Sequence, residues 1–466
     1  MDNHSLPKRD IFNPHSFSRR GFLHVGSLLL GGLGLSDLLR LRAQAASQGG
    51  EKSDTSIILV WLEGGPSQLE TFDMKPDAPA EYRGEFQPIR TAVPGMDICE
   101  LLPKHAKVAN KFNLIRSISH DVADHPGAVG RFLTGRRPLN ISDPVSKFPT
   151  IESLVAKSRE DRRVGVPNYV SNMKALKGGG SAYLGQNCEP FVVDADPNDP
   201  NFKVQNLSLD PDYADRMEGR LGLLREFDRF RRGLDLAGTM RAADGFNREA
   251  LEMLTSDKAG QAFDIGRESN ETRDRYGRNE WGQRTLLARR LVEAGCSFVT
   301  VELKTLLKDA PGIYTWDDHG DGGGSIFKYM KKRLAFYDQA VSALIEDIYQ
   351  RGLDRKVMVV VTGEFGRTPQ VVFRPNTPHV GRDHWPGSMS VLVSGGGMRT
   401  GQVIGSTNSK CEMPLDRPLD PNDFLASIYR FLGINPERSY LDLRGRPMPI
   451  LPYGRPIPEL ASSDVS

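Results

Sequence analysis

Glu364 stands one glycine beyond Val357-Met358-Val359-Val360-Val361-Thr362, a run with no polar face. Such a run reads as the central strand of a parallel sheet covered on both sides. Ligands of open α/β sheets bind just past the carboxyl ends of these strands, so a carboxylate there is placed to meet a metal ion or a substrate. His384, in Gly381-Arg382-Asp383-His384-Trp385, brings an imidazole from the loop that follows. Trp316-Asp317-Asp318-His319-Gly320 adds carboxylates and a further imidazole in a loop, where side chains can converge that a regular element would hold apart. Glu63 repeats the first pattern, a buried strand (Ser56 to Leu62) followed by a carboxylate and a Gly64-Gly65 turn, with Asp73 as an alternative in the same role. Hard or borderline divalent ions accept carboxylate oxygen and neutral imidazole nitrogen, and a catalytic site keeps one position open. The candidate ligands are Glu63 or Asp73, His120, His125, Asp317, Asp318, His319, Glu364 and His384, of which Glu63, Asp317, His319, Glu364 and His384 are the expected set, for zinc, calcium or magnesium. His120 and His125 lie in His120-Asp121-Val122-Ala123-Asp124-His125, and His125 is the candidate for proton transfer. A guanidinium fork matches sulfate or phosphate oxygens, which makes Arg131 and Arg382 candidate substrate contacts and Arg367 a candidate catalytic group. Taken singly, each histidine also reads as a hydrogen-bonded structural residue and each arginine as a surface ion-pair partner.

These residues need a scaffold, and the chain supplies its signals in order. Strands are expected at 56–62, 112–119, 297–302, 356–362 and 389–394, and helices from about Ala128 to Thr134, from Phe327 to Gln350 and from Asn422 to Leu432. Asp420-Pro421-Asn422 is the start signal of the last helix. From about 210 to 291 the pattern turns helical, with apolar residues at helical spacing and charges between, which reads as an insertion packing on the sheet. The proline-rich tail from Arg446 to Pro458 carries Leu451, Tyr453 and Ile457, enough to wrap it against the body. The expected fold is α/β, a mostly parallel central sheet with helices on both faces and a helical insertion.

Composition narrows the class further. The 466 residues include 61 basic and 59 acidic side chains, a formal +2 that leaves no field for nucleic acid. Cys99, Cys188, Cys296 and Cys411 are far apart and form no metal-binding pair. Cys296 reads as a small buried thiol, and an exported protein could join one pair as a disulfide. Ser18-Arg19-Arg20-Gly21-Phe22-Leu23 resembles the twin-arginine export signal, followed by a glycine-rich apolar stretch and by Ala43-Gln44-Ala45 as a cleavage site. The expectation is a leader over 1–45, export by the twin-arginine machinery to the periplasm or beyond, and no stable membrane span after cleavage.

One block carries a family likeness. Phe132-Leu133-Thr134-Gly135-Arg136-Arg137-Pro138 is similar to the helix ending that follows the nucleophile in arylsulfatases, and Val361-Thr362-Gly363-Glu364-Phe365-Gly366 resembles a metal-binding strand end of the alkaline phosphatase superfamily. With Gly65-Pro66-Ser67, Trp316-Asp317-Asp318-His319-Gly320, Glu364-Phe365-Gly366-Arg367-Thr368-Pro369, Gly381-Arg382-Asp383-His384-Trp385 and Gly445-Arg446-Pro447, the mature chain, 46–466, resembles an exported family of unknown function within that superfamily. The resemblance implies an alkaline-phosphatase-like fold and a sulfatase-like, metal-dependent hydrolase of phosphate or sulfate esters. Its substrate would be a small anionic ester or a sulfated or phosphorylated glycan. Two departures qualify it. The nucleophile position falls near His125, so the formylglycine precursor is absent, and Phe365 stands where many relatives carry a metal ligand. A non-catalytic protein holding an anionic glycan in the same cleft is the alternative.

Overall fold

The computed structural model describes residues 54–162, 164–204, 257–304, 315–320, 325–373 and 379–462. The expected export leader and the greater part of the expected helical insertion, 205–256, lie outside the described residues.

Eight strands form the main sheet: β1 (Ser56–Trp61), β2 (Phe112–Ile118), β3 (Tyr169–Ser171), β4 (Phe191–Val192), β5 (Phe298–Glu302), β6 (Val357–Thr362), β7 (Met389–Gly395) and β8 (Val403–Ile404). Their order across the sheet is β8-β2-β7-β6-β1-β5-β3-β4. β1 lies at the middle, parallel to both β5 and β6. β7 alone runs against its neighbours, antiparallel to β6 and to β2. The helices used below are α1 (His125–Thr134), α2 (Ile151–Ser158), α3 (Glu280–Glu293), α4 (Ile326–Gln350) and α5 (Pro421–Leu432).

The β1 sequence shows why both faces are covered. Every one of its residues is buried, and because side chains alternate along a strand its six residues serve two cores. Ile58 and Val60 pack with Leu286 and Leu291 of α3 and Leu334 and Leu344 of α4. Ile57, Leu59 and Trp61 pack with Val129 and Phe132 of α1, Leu154 of α2 and Phe424 of α5. The sheet is therefore mixed but mostly parallel, with helices on both faces, as the apolar runs imply.

Local signals are obeyed with small shifts. α1 starts at His125, three residues before the expected start, because Pro126 occupies its first turn, where a missing N–H costs nothing. It stops at Gly135, whose φ of 67° closes the helix. α5 opens on Asp420, whose side chain accepts from the Asn422 and Asp423 N–H groups in a capping box. Leu451 and Ile457 of the tail are buried against the body, whereas Tyr453 is exposed. All four cysteines are free and buried, so the disulfide that export would permit is absent. No described helix is long and apolar enough to cross a membrane.

Candidate functional site

The three central strands end in acid residues at neighbouring heights. Trp61 is in register with Glu302 on one side and Thr362 on the other, so Glu63 and Glu364 each lie two residues beyond the same rung. Two short segments then cross above them. Gly366–Arg367 pairs antiparallel with His384–Trp385, with His384 opposite Arg367, which returns the imidazole to the strand end. The 315–320 loop descends on Gly64, where the Trp316 N–H donates to the Glu63 carbonyl at 2.8 Å. That approach requires glycine: Gly64 has φ of 107°, and a Cβ there would lie 2.5 Å from the Asp317 nitrogen.

The loop delivers Asp317 into a ring of imidazoles. Oδ1 of Asp317 lies 2.9 Å from Nε2 of His319 and 3.0 Å from Nε2 of His384, and Oδ2 lies 3.2 Å from Nε2 of His125. The Nε2 atoms of His319 and His384 are themselves 3.0 Å apart. Each ring is oriented from behind. Nδ1 of His125 meets Oε1 of Glu364 at 2.6 Å, Nδ1 of His319 meets Oδ1 of Asp383 at 2.6 Å, and Nδ1 of His384 meets the Ala123 carbonyl at 2.7 Å. An Nδ1–H donated to such an acceptor leaves Nε2 as the basic atom of the neutral ring. Two basic nitrogens and a carboxylate oxygen thus converge on one point, the donor set that a divalent cation satisfies. Arg367 donates to the Asp317 carboxylate and to the Gly64, Gly65 and Arg382 carbonyls.

Charge follows this geometry. Burial works against the His125 imidazolium, but Asp317 and Glu364 outweigh it and push its pKa up to about 9. Burial likewise opposes ionisation of Asp317, yet the three imidazoles and Arg367 hold its carboxyl well below the usual range. The Asp317 hydrogen bond raises His319 against the effect of burial. His120 is different: burial lowers it to about 4, and its Nε2 lies 2.7 Å from the Glu364 carbonyl, so it is a neutral brace for that backbone.

The structure brings His125, Asp317, His319, His384 and Arg367 together, with Glu364 behind His125. Glu364 is 0% exposed, its Oε1 also accepts from the Gly64 N–H, and its Oε2 has no hydrogen-bond partner. Glu63 pairs instead with Lys304 and touches Glu302, whose carboxyl burial and the Glu63 charge push up to about 8. Other candidates are elsewhere. Arg382 is 0% exposed and spent on Glu70 and on the Tyr82, Thr368 and Pro369 carbonyls. Arg131 is buried on Asn422 and Tyr453, so neither guanidinium reaches the cluster. Asp318 forms a buried fork with Arg333, and Asp73 is bonded to Lys75 and Thr407. Asp383, Glu302 and Lys304 take part as well; Asp383 lies inside the Gly381–Trp385 motif, whereas no motif marks Glu302 or Lys304.

Asp383 gives a direct check on the second layer. Losing the partner of a metal-binding imidazole typically costs about 10–100-fold in affinity, so, were His319 to hold an ion, Asp383→Ala should weaken zinc binding by about that factor, read by calorimetric titration. An unchanged affinity would mean that His319 is not held for a ligand's role.

A mostly parallel α/β sheet carrying three imidazoles around one carboxylate at its carboxyl edge defines the class of this protein. The chain belongs to the family described as "Protein of unknown function (DUF1501)", which it matches over residues 54–461. No curated protein matches it. Among solved structures it is similar to the lipoteichoic acid synthase LtaP from Listeria monocytogenes, at 10% identity and a TM-score of 0.36, over 83% of this chain and 74% of that one. It is also similar to the PsFucS1 sulfatase from Pseudoalteromonas sp., at 14% identity and 0.38, over 91% and 75%. A third likeness is to alkaline phosphatase from the Antarctic bacterium TAB5, at 12% identity and 0.35, over 82% and 98%. These likenesses are remote, and the functional reading rests on the chain's own site.

Proposed function

We propose that the protein is an exported, metal-dependent hydrolase of phosphate or sulfate esters. The observation that carries this reading is the corner formed by Asp317 Oδ1 and the Nε2 atoms of His319 and His384, all within 3.0 Å of one another. Two imidazoles and one carboxylate suit a zinc-like ion better than calcium or magnesium, which favour all-oxygen shells. His319, His384 and Asp317 would hold it, and when bound it would supply electrophilic stabilisation of a tetrahedral anion.

The remaining chemistry belongs to the chain. Arg367 fixes the Asp317 carboxylate, and Asp383 and the Ala123 carbonyl fix the two imidazoles. His125 is braced by Glu364 and points its Nε2 at the free side of Asp317, so it is positioned as a proton donor. In the hydrolytic step a water oxygen bonds to phosphorus or sulfur while the bond to the leaving oxygen breaks, the His125 proton goes to that oxygen, and the proton shed by the water restores the His125 imidazolium. No hydroxyl or thiol nucleophile occupies the start of α1, which favours direct attack by water. Export by the leader that the sequence suggests would place this activity outside the cytoplasm.

The test is hydrolysis of aryl phosphate and aryl sulfate esters by the purified protein, stripped with chelator and then reloaded with zinc. Release should vanish on stripping and return on reloading. Equal binding of sulfated glycans with no turnover of any such ester, with or without metal, would instead favour a binding protein.

A further inference from the structure

The His125 and His384 imidazoles share a support that no hydrogen bond provides. Phe365 follows Glu364 and is 0% exposed. Its ring centroid lies 5.1 Å from that of His125 and 4.6 Å from that of His384, tilted by 37° and 32°. The two imidazoles meet each other edge to face, 4.2 Å apart at 68°, so the three rings close a triangle. One ring is sealed inside the protein, and the other two side chains are 31% and 21% exposed.

The hydrogen bonds from behind leave a freedom that this contact removes. His125 is held at Nδ1 by Glu364 and His384 at Nδ1 by the Ala123 carbonyl, and an imidazole held at one nitrogen can still turn about that bond and swing its Nε2 aside. The Asp317 contacts at Nε2 cannot stop the turn, because those are the positions that an ion and a leaving group take over. A flat apolar surface against the ring does stop it. Phe365 is itself held. A Cβ on Gly65 would lie 2.5 Å from its Cδ2, Val122 and Ala128 complete its apolar cluster, and the Arg367 guanidinium lies 5.8 Å from its centroid, where a cation is attracted to the ring face. The next residue, Gly366, pairs with Trp385 in the short ladder, which ties the ring to the segment that carries His384.

Resting on the metal reading above, we propose that Phe365 is a positioning residue for both halves of the site: its ring sets the angle of the His384 imidazole that binds the ion and of the His125 imidazole that transfers the proton. Reacting constellations need supports of this kind, locked by packing to within about 0.5 Å and 10–20°. Being wholly buried, Phe365 acts through the two imidazoles and meets no substrate.

The experiment compares Phe365→Leu, which keeps an apolar side chain but loses the flat ring, with Val122→Ala, which trims the same apolar cluster. Each full-length variant is stripped, titrated with zinc by calorimetry, then reloaded and assayed on an aryl phosphate and an aryl sulfate. Phe365→Leu should bind zinc about tenfold or more weakly and lose about a hundredfold in kcat, with KM little changed. Val122→Ala should melt at a lower temperature yet keep wild-type zinc affinity and kcat. Wild-type zinc affinity in folded Phe365→Leu, a loss confined to KM, or an equal loss in Val122→Ala would each overturn the role of Phe365 while leaving the hydrolase reading intact. Should Phe365→Leu fail to fold, Phe365→Met takes its place with the same expectations. Should both fail, the crystal structure of the zinc-loaded wild type decides: the ring against both imidazoles upholds the role, and a ring turned from either overturns it. No zinc in the wild type would remove the hydrolase reading, and this inference with it.

Discussion

Asp317→Asn should leave a folded protein whose affinity for zinc has fallen by about a hundredfold or more. The asparagine keeps the side chain's volume and one oxygen but removes the charge on which everything else converges. His319 and His384 lie 2.9 and 3.0 Å from one Asp317 oxygen, His125 lies 3.2 Å from the other, and Arg367 donates to the first. Replacing an outer-layer partner already costs about 10–100-fold, so removing a charged donor from so small a set should cost at least the upper end. The fold should survive, because Arg367 retains the Gly64, Gly65 and Arg382 carbonyls as acceptors. Calorimetric titration of the stripped variant reads the result, and wild-type affinity in a folded Asp317→Asn protein would remove Asp317 from the centre of the site.

His125→Ala should lower ester turnover by about two to four orders of magnitude, the usual worth of a positioned proton donor. Its zinc affinity should change far less than that of Asp317→Asn, since His125 addresses the other carboxylate oxygen. Intact-mass measurement of the wild type under saturating substrate should show no phosphorylated or sulfated protein, in keeping with direct attack by water. The variant also has a pH signature in the stripped protein. There the His125 pKa rises from 6.5 to about 9, so the folded state binds its proton more tightly than the unfolded state. The stabilisation is complete below about 6.5 and is lost as the pH climbs through about 9. Thermal melts of stripped wild type should therefore fall over that interval by more than those of His125→Ala. Full activity in the variant, or a persistent covalent adduct in the wild type, would defeat this mechanism.

What could be read from sequence was whatever a short window encodes. Buried central strands have no polar face, so Ser56–Trp61 and Val357–Thr362 announce themselves, and the residues just after them fall at the ligand-binding edge by a general rule of parallel sheets. The antiparallel course of Met389–Gly395 was not encoded locally, because an apolar run does not state its direction. Division of labour among like residues was equally hidden. Arg367 and Arg382 sit in similar glycine-rich contexts, yet one grips Asp317 and the other is locked on Glu70. Glu364 reads as a ligand from where its strand ends, but which of its oxygens faces which nitrogen is set by α1, far away in sequence, and its Oε1 braces His125. Nothing local marks Asp383 beside His384, since only the arrival of the 315–320 loop turns it into the partner of His319.

The most direct test of the central claim is the metal content of the wild-type protein, stripped, offered zinc, dialysed and analysed by elemental mass spectrometry. The account predicts tightly held zinc in stoichiometric amount, retained at neutral pH and removed by chelator. A folded wild-type protein that emerges from dialysis without metal would contradict it.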